Sequence, residues 1–313
     1  MIITRALPRH LVTATALGLT LAVAAPHAAS AQSGSTRAKM LVSADWLKTH
    51  AADKGLVILY VGARKDYDAG HIPGAEYVSL ASWSAANPPE GALTLELPSA
   101  EDLRAKLQGL GISDRSRVIV YAGKGDTQSA TRVVFTLEAA GLGDRTSLLD
   151  GGVTEWQRLA YPTSTVEPTV TPGVLAPIKF KARVVDAAFV QAHANAPGYK
   201  VIDARAGVFY DGVQAGMGGV KGHVSGAVSL PFSSVTGADQ KLKSTDELAA
   251  EFKAAGVKPG DHVIAYCHVG QQATAVIFAA RSLGIDANLY DGSFEDWSRR
   301  KLPVETASAA PAK

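Results

Sequence analysis

The chain of 313 residues has a single cysteine, Cys267. It lies in the segment Val263-Ile264-Ala265-Tyr266-Cys267-His268-Val269-Gly270-Gln271-Gln272-Ala273-Thr274. A short apolar run leads into it and a helix-like run, Ala273 to Leu283, leads out. A thiol placed where a strand turns into a helix faces main-chain N–H groups and the positive end of the helix dipole. Both favour thiolate over thiol, and the thiolate is the nucleophile. The competing reading is a small, inert, buried cysteine. Arg205 is the second candidate, at the end of the strand-like run Lys200 to Ala204. Its guanidinium can grip a sulfonate or carboxylate through two parallel hydrogen bonds; the competing reading is a structural ion pair.

The residues around these two suggest a binding loop. His268 could hold an anion or move a proton near neutral pH. Val269, Gly270, Gln271 and Gln272 complete a loop whose N–H groups would line the sulfur. Gly270 supplies the backbone freedom that such a curl requires. Gln272 can donate hydrogen bonds but brings no charge. Asp203, two residues before Arg205, reads as an anchor for that arginine or for the loop. His71 and His223 lie in Gly-His turns and read as structural.

Other chemistries fit poorly. The eight histidines include no H-x-x-x-H spacing, and one cysteine cannot build a zinc cluster, so no metal or cofactor is expected. The glycine-rich stretch Gly212 to Gly222 lacks the G-K-[ST] of a phosphate loop. A cysteine phosphatase would need an arginine where this chain has Ala273.

Composition points to a globular protein, with 47% hydrophobic and 19% charged residues. A net charge of +2 gives no reason to expect a nucleic-acid partner. The start of the chain is different. Arg5, Arg9 and His10 precede the apolar run Leu11 to Ala25, and Ala29-Ser30-Ala31 offers an A-x-A cleavage site. This is the three-part pattern of a secretory signal peptide, residues 1–31, with a core too short to span a membrane. The mature protein is therefore expected in the periplasm or outside the cell, free of the membrane. There, one cysteine with no partner in its own chain implies chemistry or intermolecular pairing.

The rest of the chain reads twice. Leu41 to His50 parallels Val184 to His193, and the apolar run Val57 to Val61 parallels Lys200 to Ala204. Gly70-His71-Ile72-Pro73-Gly74-Ala75 parallels Gly222-His223-Val224-Ser225-Gly226-Ala227. Arg117 to Tyr121 parallels His262 to Tyr266, and Asp150-Gly151 before Trp156 parallels Asp291-Gly292 before Trp297. Alternating strand and helix patterns predict an α/β fold in each half, a mostly parallel sheet flanked by helices. In such sheets, sites form at the carboxyl ends of strands. The boundaries read as one domain over 41–160, a proline-rich extended linker over 161–179, a second domain over 180–306 and a flexible tail over 307–313. In the first copy Ala122 stands at the cysteine position, and Tyr60-Val61-Gly62 replaces Asp203-Ala204-Arg205. Its loop looks about two residues longer, because Tyr121 to Gly141 spans 20 positions against 18 for Tyr266 to Gly284.

These landmarks together resemble the rhodanese family of sulfurtransferases in its tandem-domain form. The resemblance implies two rhodanese-like domains, the first inactive, and a persulfide carried on Cys267. It implies transfer of a sulfane sulfur from a small anionic donor to a thiophilic acceptor such as cyanide or a thiol, by a monomer without cofactor. Thiosulfate is the favoured donor and 3-mercaptopyruvate the alternative. The loop has neither the cations of the thiosulfate type after the cysteine nor the small polar residues of the mercaptopyruvate type. A non-catalytic sulfur carrier or sensor is the alternative from another class. The leader makes its own prediction: N-terminal sequencing of the exported protein should begin near Gln32, and full-length protein recovered from the cytosol would contradict export.

Overall fold

Runs of β-branched and aromatic residues make the strands, and short capped helices return the chain between them. The computed structural model describes residues 1–2, 36–84 and 90–307. Residues 3–31 of the leader with its cleavage site, and residues 308–313 of the tail, lie outside the described residues. The first half runs β1 (Leu41–Val42), α1 (Ala44–His50), β2 (Leu56–Val61), α2 (Arg64–Ala69), β3 (Ala75–Val78), α3 (Ala100–Gly109), β4 (Arg117–Ala122), α4 (Thr127–Ala139), β5 (Thr146–Leu149) and α5 (Gly152–Arg158). The second half runs β6 (Val184–Val185), α6 (Ala187–His193), β7 (Tyr199–Asp203), α7 (Gly207–Tyr210), β8 (His223–Val224), β9 (Val228–Ser229), α8 (Thr245–Ala254), β10 (His262–Tyr266), α9 (Ala273–Ser282), β11 (Ala287–Tyr290), α10 (Ser293–Arg299) and β12 (Val304–Glu305).

Each half forms a five-stranded sheet, in the order β1-β5-β4-β2-β3 and β6-β11-β10-β7-β9. Every pairing within these two sheets is parallel. Parallel neighbours need crossovers, which the helices supply, and both faces of each sheet are covered. The central strands β4 and β10 are therefore continuous apolar runs and almost wholly buried. A small antiparallel pair, β12 with β8, closes the second half. Side chains of Ser43, Ser99, Asp186 and Ser244 cap the helices that follow them.

The proline-rich segment lies along the first half. It forms no helix, and its main chain bonds to that half at several points. Ser164 exchanges two backbone hydrogen bonds with His71, and Gly173 donates to Gln108 O at 2.7 Å.

The two halves meet through α4 and α9. Equivalent residues face each other: the Thr131 and Thr274 hydroxyls lie 3.0 Å apart, and Glu138 pairs with Arg281. Both pairs are 143 positions apart in sequence, so a local two-fold runs between the helices. One cluster of buried apolar side chains includes residues from both halves. Burial pushes the Glu138 carboxyl up and the Arg281 guanidinium down, so each charge depends on the other.

The expected longer loop in the first copy is not found. The extra length lies in the helix: α4 has 13 residues and α9 has 10, while the stretch between the strand tyrosine and the helix is one residue shorter in the first copy. In the first copy the helix begins directly after Asp126, whose carboxylate accepts from Ser129 Oγ at 2.5 Å and Gln128 Nε2 at 3.0 Å.

The Glu138–Arg281 pair makes a stability prediction. Glu138→Ala leaves a nearly buried guanidinium without its counter-charge and should cost about 3–5 kcal/mol. Glu138→Ala/Arg281→Met should recover most of that loss in urea unfolding, and equal midpoints for wild type and Glu138→Ala would contradict it.

Candidate active site

Strand β10 lies between β7 and β11, so its carboxyl end opens at the middle of the sheet edge. Cys267 is the next residue and is only 1% exposed. The start of α10 holds its backbone. Cys267 N–H donates to Ser293 Oγ at 3.2 Å, and Ser293 Oγ donates to Tyr290 O at 2.9 Å. Phe294 N–H donates to Cys267 O at 3.0 Å, and Glu295 N–H to His268 O at 3.1 Å. Ser293 has φ +52°, a left-handed conformation that costs a non-glycine residue free energy. Its counterpart Gly152 has φ +51°, and there a Cβ would stand 2.7 Å from Ala122 O. The second half keeps a side chain at this strained place, and its hydroxyl takes the Cys267 N–H.

The loop after the thiol is rich in free donors. The main-chain N–H groups of His268, Val269, Gly270, Gln271, Gln272 and Ala273 have no acceptor among the described residues. Six consecutive unbonded donors that lead into a helix form a cradle suited to an anion. The first copy uses two of its loop donors internally: Gly123 N–H donates to Val61 O at 2.8 Å and Asp126 N–H to Gly123 O at 3.3 Å. The first copy is also filled. Tyr60 holds the register place of Asp203, since Tyr60 pairs with Tyr121 as Asp203 pairs with Tyr266. The Tyr60 hydroxyl lies so close to Gly62 and Gly123 that a Cβ on either would meet it at 2.8 or 2.7 Å.

Arg205 is completely buried and largely committed. Its Nε donates to Asp203 Oδ1 and Oδ2 at 2.9 and 3.0 Å. Its Nη2 donates to Asp203 Oδ2 at 2.6 Å and to Gly222 O at 2.7 Å. Tyr266 donates its hydroxyl to the same carboxylate at 2.7 Å. The guanidinium lies 3.9 Å from the Phe294 ring centroid. Only Nη1 has no partner among the described residues. It lies beneath Gly216, where a Cβ would approach it to 2.8 Å, so the glycine-rich stretch Gly212 to Gly222 passes over this arginine. Burial alone would lower the Arg205 pKa, but Asp203, with smaller contributions from Tyr266 and Cys267, holds it above its ordinary value.

His268 packs edge-on against Phe209, with ring centroids 4.6 Å apart. Burial first, then the Arg205 charge, pulls its pKa down, so the ring is neutral at pH 7. Gln271 Nε2 donates to Ser129 Oγ of the first half at 2.7 Å, and Gln272 keeps a buried Oε1 with no donor among the described residues. Val269 is half-buried in the loop. His71 and His223 stack on Tyr67 and Tyr210, and each bonds that tyrosine's carbonyl through Nδ1.

Of three further residues at this site, Ser293 and Tyr266 carry no local signal in the sequence. Ser293 stood only as a variant letter in a turn, and Tyr266 as one more apolar strand residue. Arg132 of α4 is 1% exposed and donates to Gly270 O at 3.0 Å. A charged residue inside the apolar run Arg132-Val133-Val134-Phe135 was the one available clue.

A doubled parallel α/β unit with one thiol at the strand edge of its second copy is the arrangement to compare with known proteins. The Rhodanese-like domain model matches residues 43–159 and 186–300. The chain belongs to the rhodanese family, as a tandem sulfurtransferase. It is 31% identical over 287 residues to the 3-mercaptopyruvate sulfurtransferase of Escherichia coli K12, covering 84% of this chain and 97% of that one. It is 30% identical to the thiosulfate sulfurtransferase of Rattus norvegicus, covering 79% and 83%. The crystal structure of the E. coli 3-mercaptopyruvate sulfotransferase superposes with a TM-score of 0.72 at 28% identity, over 82% of this chain and 98% of that one. An anaerobic ergothioneine biosynthesis enzyme from Chlorobium limicola shares the fold, with a TM-score of 0.77 at 21% identity, over 87% and 71%.

The Arg205 cluster is testable by stability. Arg205→Met strands the buried Asp203 carboxylate and should cost about 3–5 kcal/mol. Asp203→Asn/Arg205→Met should unfold near the wild-type urea midpoint, and an unchanged midpoint for Arg205→Met alone would refute the pairing.

Proposed function

We propose that the protein moves a sulfane sulfur from thiosulfate to a thiophilic acceptor through a persulfide on Cys267. The reading rests on one observation above all: the lone thiol begins a loop of six unbonded main-chain donors. Those donors stabilise negative charge on the attacking sulfur and on the persulfide. In the first step the Cys267 thiolate attacks the outer sulfur of thiosulfate. A new S–S bond forms, the old one breaks, and sulfite leaves with the electron pair. In the second step an acceptor such as cyanide attacks the outer persulfide sulfur. Thiocyanate leaves and the thiolate returns, a ping-pong cycle with no net redox change. Arg205 Nη1, unbonded inside the site, is the proposed handle for the donor's anionic end, and Asp203 orients it. His268, Val269, Gly270, Gln271 and Gln272 shape the loop, with His268 acting as a neutral hydrogen-bonding group.

A second reading takes 3-mercaptopyruvate as donor. It is favoured by the likeness to the E. coli enzyme of that name along almost that enzyme's whole length. There the thiolate attacks the thiol sulfur, the C–S bond breaks, and the enolate of pyruvate leaves and is protonated. In either case the enzyme is proposed to work as a monomer outside the cytoplasm, after loss of the leader.

Cys267→Ser should abolish transfer while leaving the urea midpoint unchanged, because an alcohol without a base cannot hold the sulfur. Wild type incubated with donor alone should gain one sulfur, about 32 Da, and lose it to cyanide, as ping-pong intermediates do. Thiosulfate and 3-mercaptopyruvate assayed in parallel decide the donor by kcat/KM, and Asp203→Asn/Arg205→Met should raise the donor KM but not the acceptor KM. Full activity in Cys267→Ser, or no adduct with either donor, would replace the enzyme by a sulfur-binding sensor.

A further inference from the structure

The first half has no nucleophile, yet it sends one charged side chain into the loop of the second. Arg132 projects from the middle of α4 at the contact with α9 and is 1% exposed. A guanidinium buried this deeply needs a full set of acceptors. It has three. Nη1 donates to Asp291 Oδ1 at 2.5 Å and to Gly270 O at 3.0 Å, and Nη2 donates to Leu95 O. Asp291 is held in turn, because its Oδ2 accepts from Leu97 N–H at 3.1 Å. The contact leaves no room at Gly270. A Cβ there would meet Asp291 Oδ1 at 2.8 Å and Arg132 Nη1 at 2.9 Å, and φ is already +79°.

The local two-fold shows that this contact is not a general device for joining the halves. Thr131 faces its equivalent Thr274, so the position equivalent to Arg132 is Ala275. The backbone contact is reciprocated, since Leu242 N–H donates to Asp150 Oδ1 at 2.9 Å as Leu97 N–H donates to Asp291. The arginine is not. Ala275 has no guanidinium to offer the first copy's loop, so only the loop that carries the cysteine receives one.

In a trans peptide the C=O and the following N–H point in opposite directions. Arg132 draws Gly270 O toward the first half, so the Gln271 N–H must point away from it, into the loop. We infer that Arg132 is a positioning residue for the Cys267 loop: the nucleophile-free half sets the peptide plane between Gly270 and Gln271 and so aims the loop's free donors. The catalytic meaning of this rests on the sulfur-transfer reading above; the geometric claim about the thiol does not.

The test uses the full mature protein with Arg132→Met and Arg132→Lys. A lysine keeps the charge for Asp291 but cannot serve three divergent acceptors as a guanidinium does. Two rates are read: alkylation of Cys267 by iodoacetamide as a function of pH, and single-turnover loading of sulfur from thiosulfate or 3-mercaptopyruvate. Arg132→Met should move the alkylation profile to higher pH and slow sulfur loading by about tenfold or more, as losing the group that orients a reacting loop does. The acceptor KM should stay at its wild-type value, and Arg132→Lys should recover part of both rates. A folded variant with wild-type alkylation and loading overturns the inference. If Arg132→Met fails to fold, Arg132→Lys carries the same comparison. A wild-type protein that alkylates at Cys267 but loads no sulfur defeats the transfer reading, and the alkylation profiles then decide on Arg132 alone.

Discussion

Everything at the site depends on how α4 packs against α9. These are the helices that follow the two central strands, one from each half, and their equivalent faces meet about a local two-fold. The contact merges the two apolar cores and brings residues of the first half within reach of the Cys267 loop. A parallel sheet places its loops at one edge. Packing the helices face to face then sets the first half's Ser129, Thr131 and Arg132 against the loop of the second.

The duplication makes the divergence of the two copies legible. Both keep the tyrosine at the end of the central strand, with its hydroxyl accepting an N–H from the Gly-His turn: Ile72 for Tyr121 and Val224 for Tyr266, each at 3.0 Å. Both keep the tryptophan whose indole N–H donates to a proline carbonyl, Pro162 or Pro303. Where the copies differ, they differ in polarity. The second copy has a buried Asp203–Arg205 pair and an unbonded loop. The first fills the same space with Tyr60, and its loop bonds to itself. The first copy spends two of its loop N–H groups on its own fold, and the second leaves six in a row unbonded.

Buried charge in this protein is paired almost everywhere it occurs. Arg205 with Asp203, Arg132 with Asp291 and Glu138 with Arg281 are enclosed pairs, two of them formed between the halves. Such pairs add little net stability, but losing one partner is costly, so they specify which surfaces meet. Arg205 is the instructive case. Most of its hydrogen-bonding capacity is used in holding its own neighbourhood together, and one nitrogen is left over.

Much of this was legible in the sequence, because the relevant signals are local or repeated. The α/β class, the strand beginning at Arg117 and the one over His262–Tyr266, the place of Cys267 after the latter, and the loss of both thiol and arginine from the first copy all follow from residue order and apolar patterning. The repeat exposed them by offering the same pattern twice. The spacing places the extra length of the first copy in its loop, yet it lies in α4, because spacing alone cannot say where a helix begins. The anchor that Asp203 offers Arg205 was readable too; the tertiary structure alone decided that Arg205 also donates to Gly222 O, that Ser293 holds the Cys267 N–H, and that Arg132 reaches Gly270 from 138 positions away. The first two join segments 17 and 26 positions apart within the second half, and the third exists only once α4 and α9 have packed. Residue type and local spacing determine strands, turns and a reactive thiol; which partners a buried guanidinium finds is set by the packing that buries it.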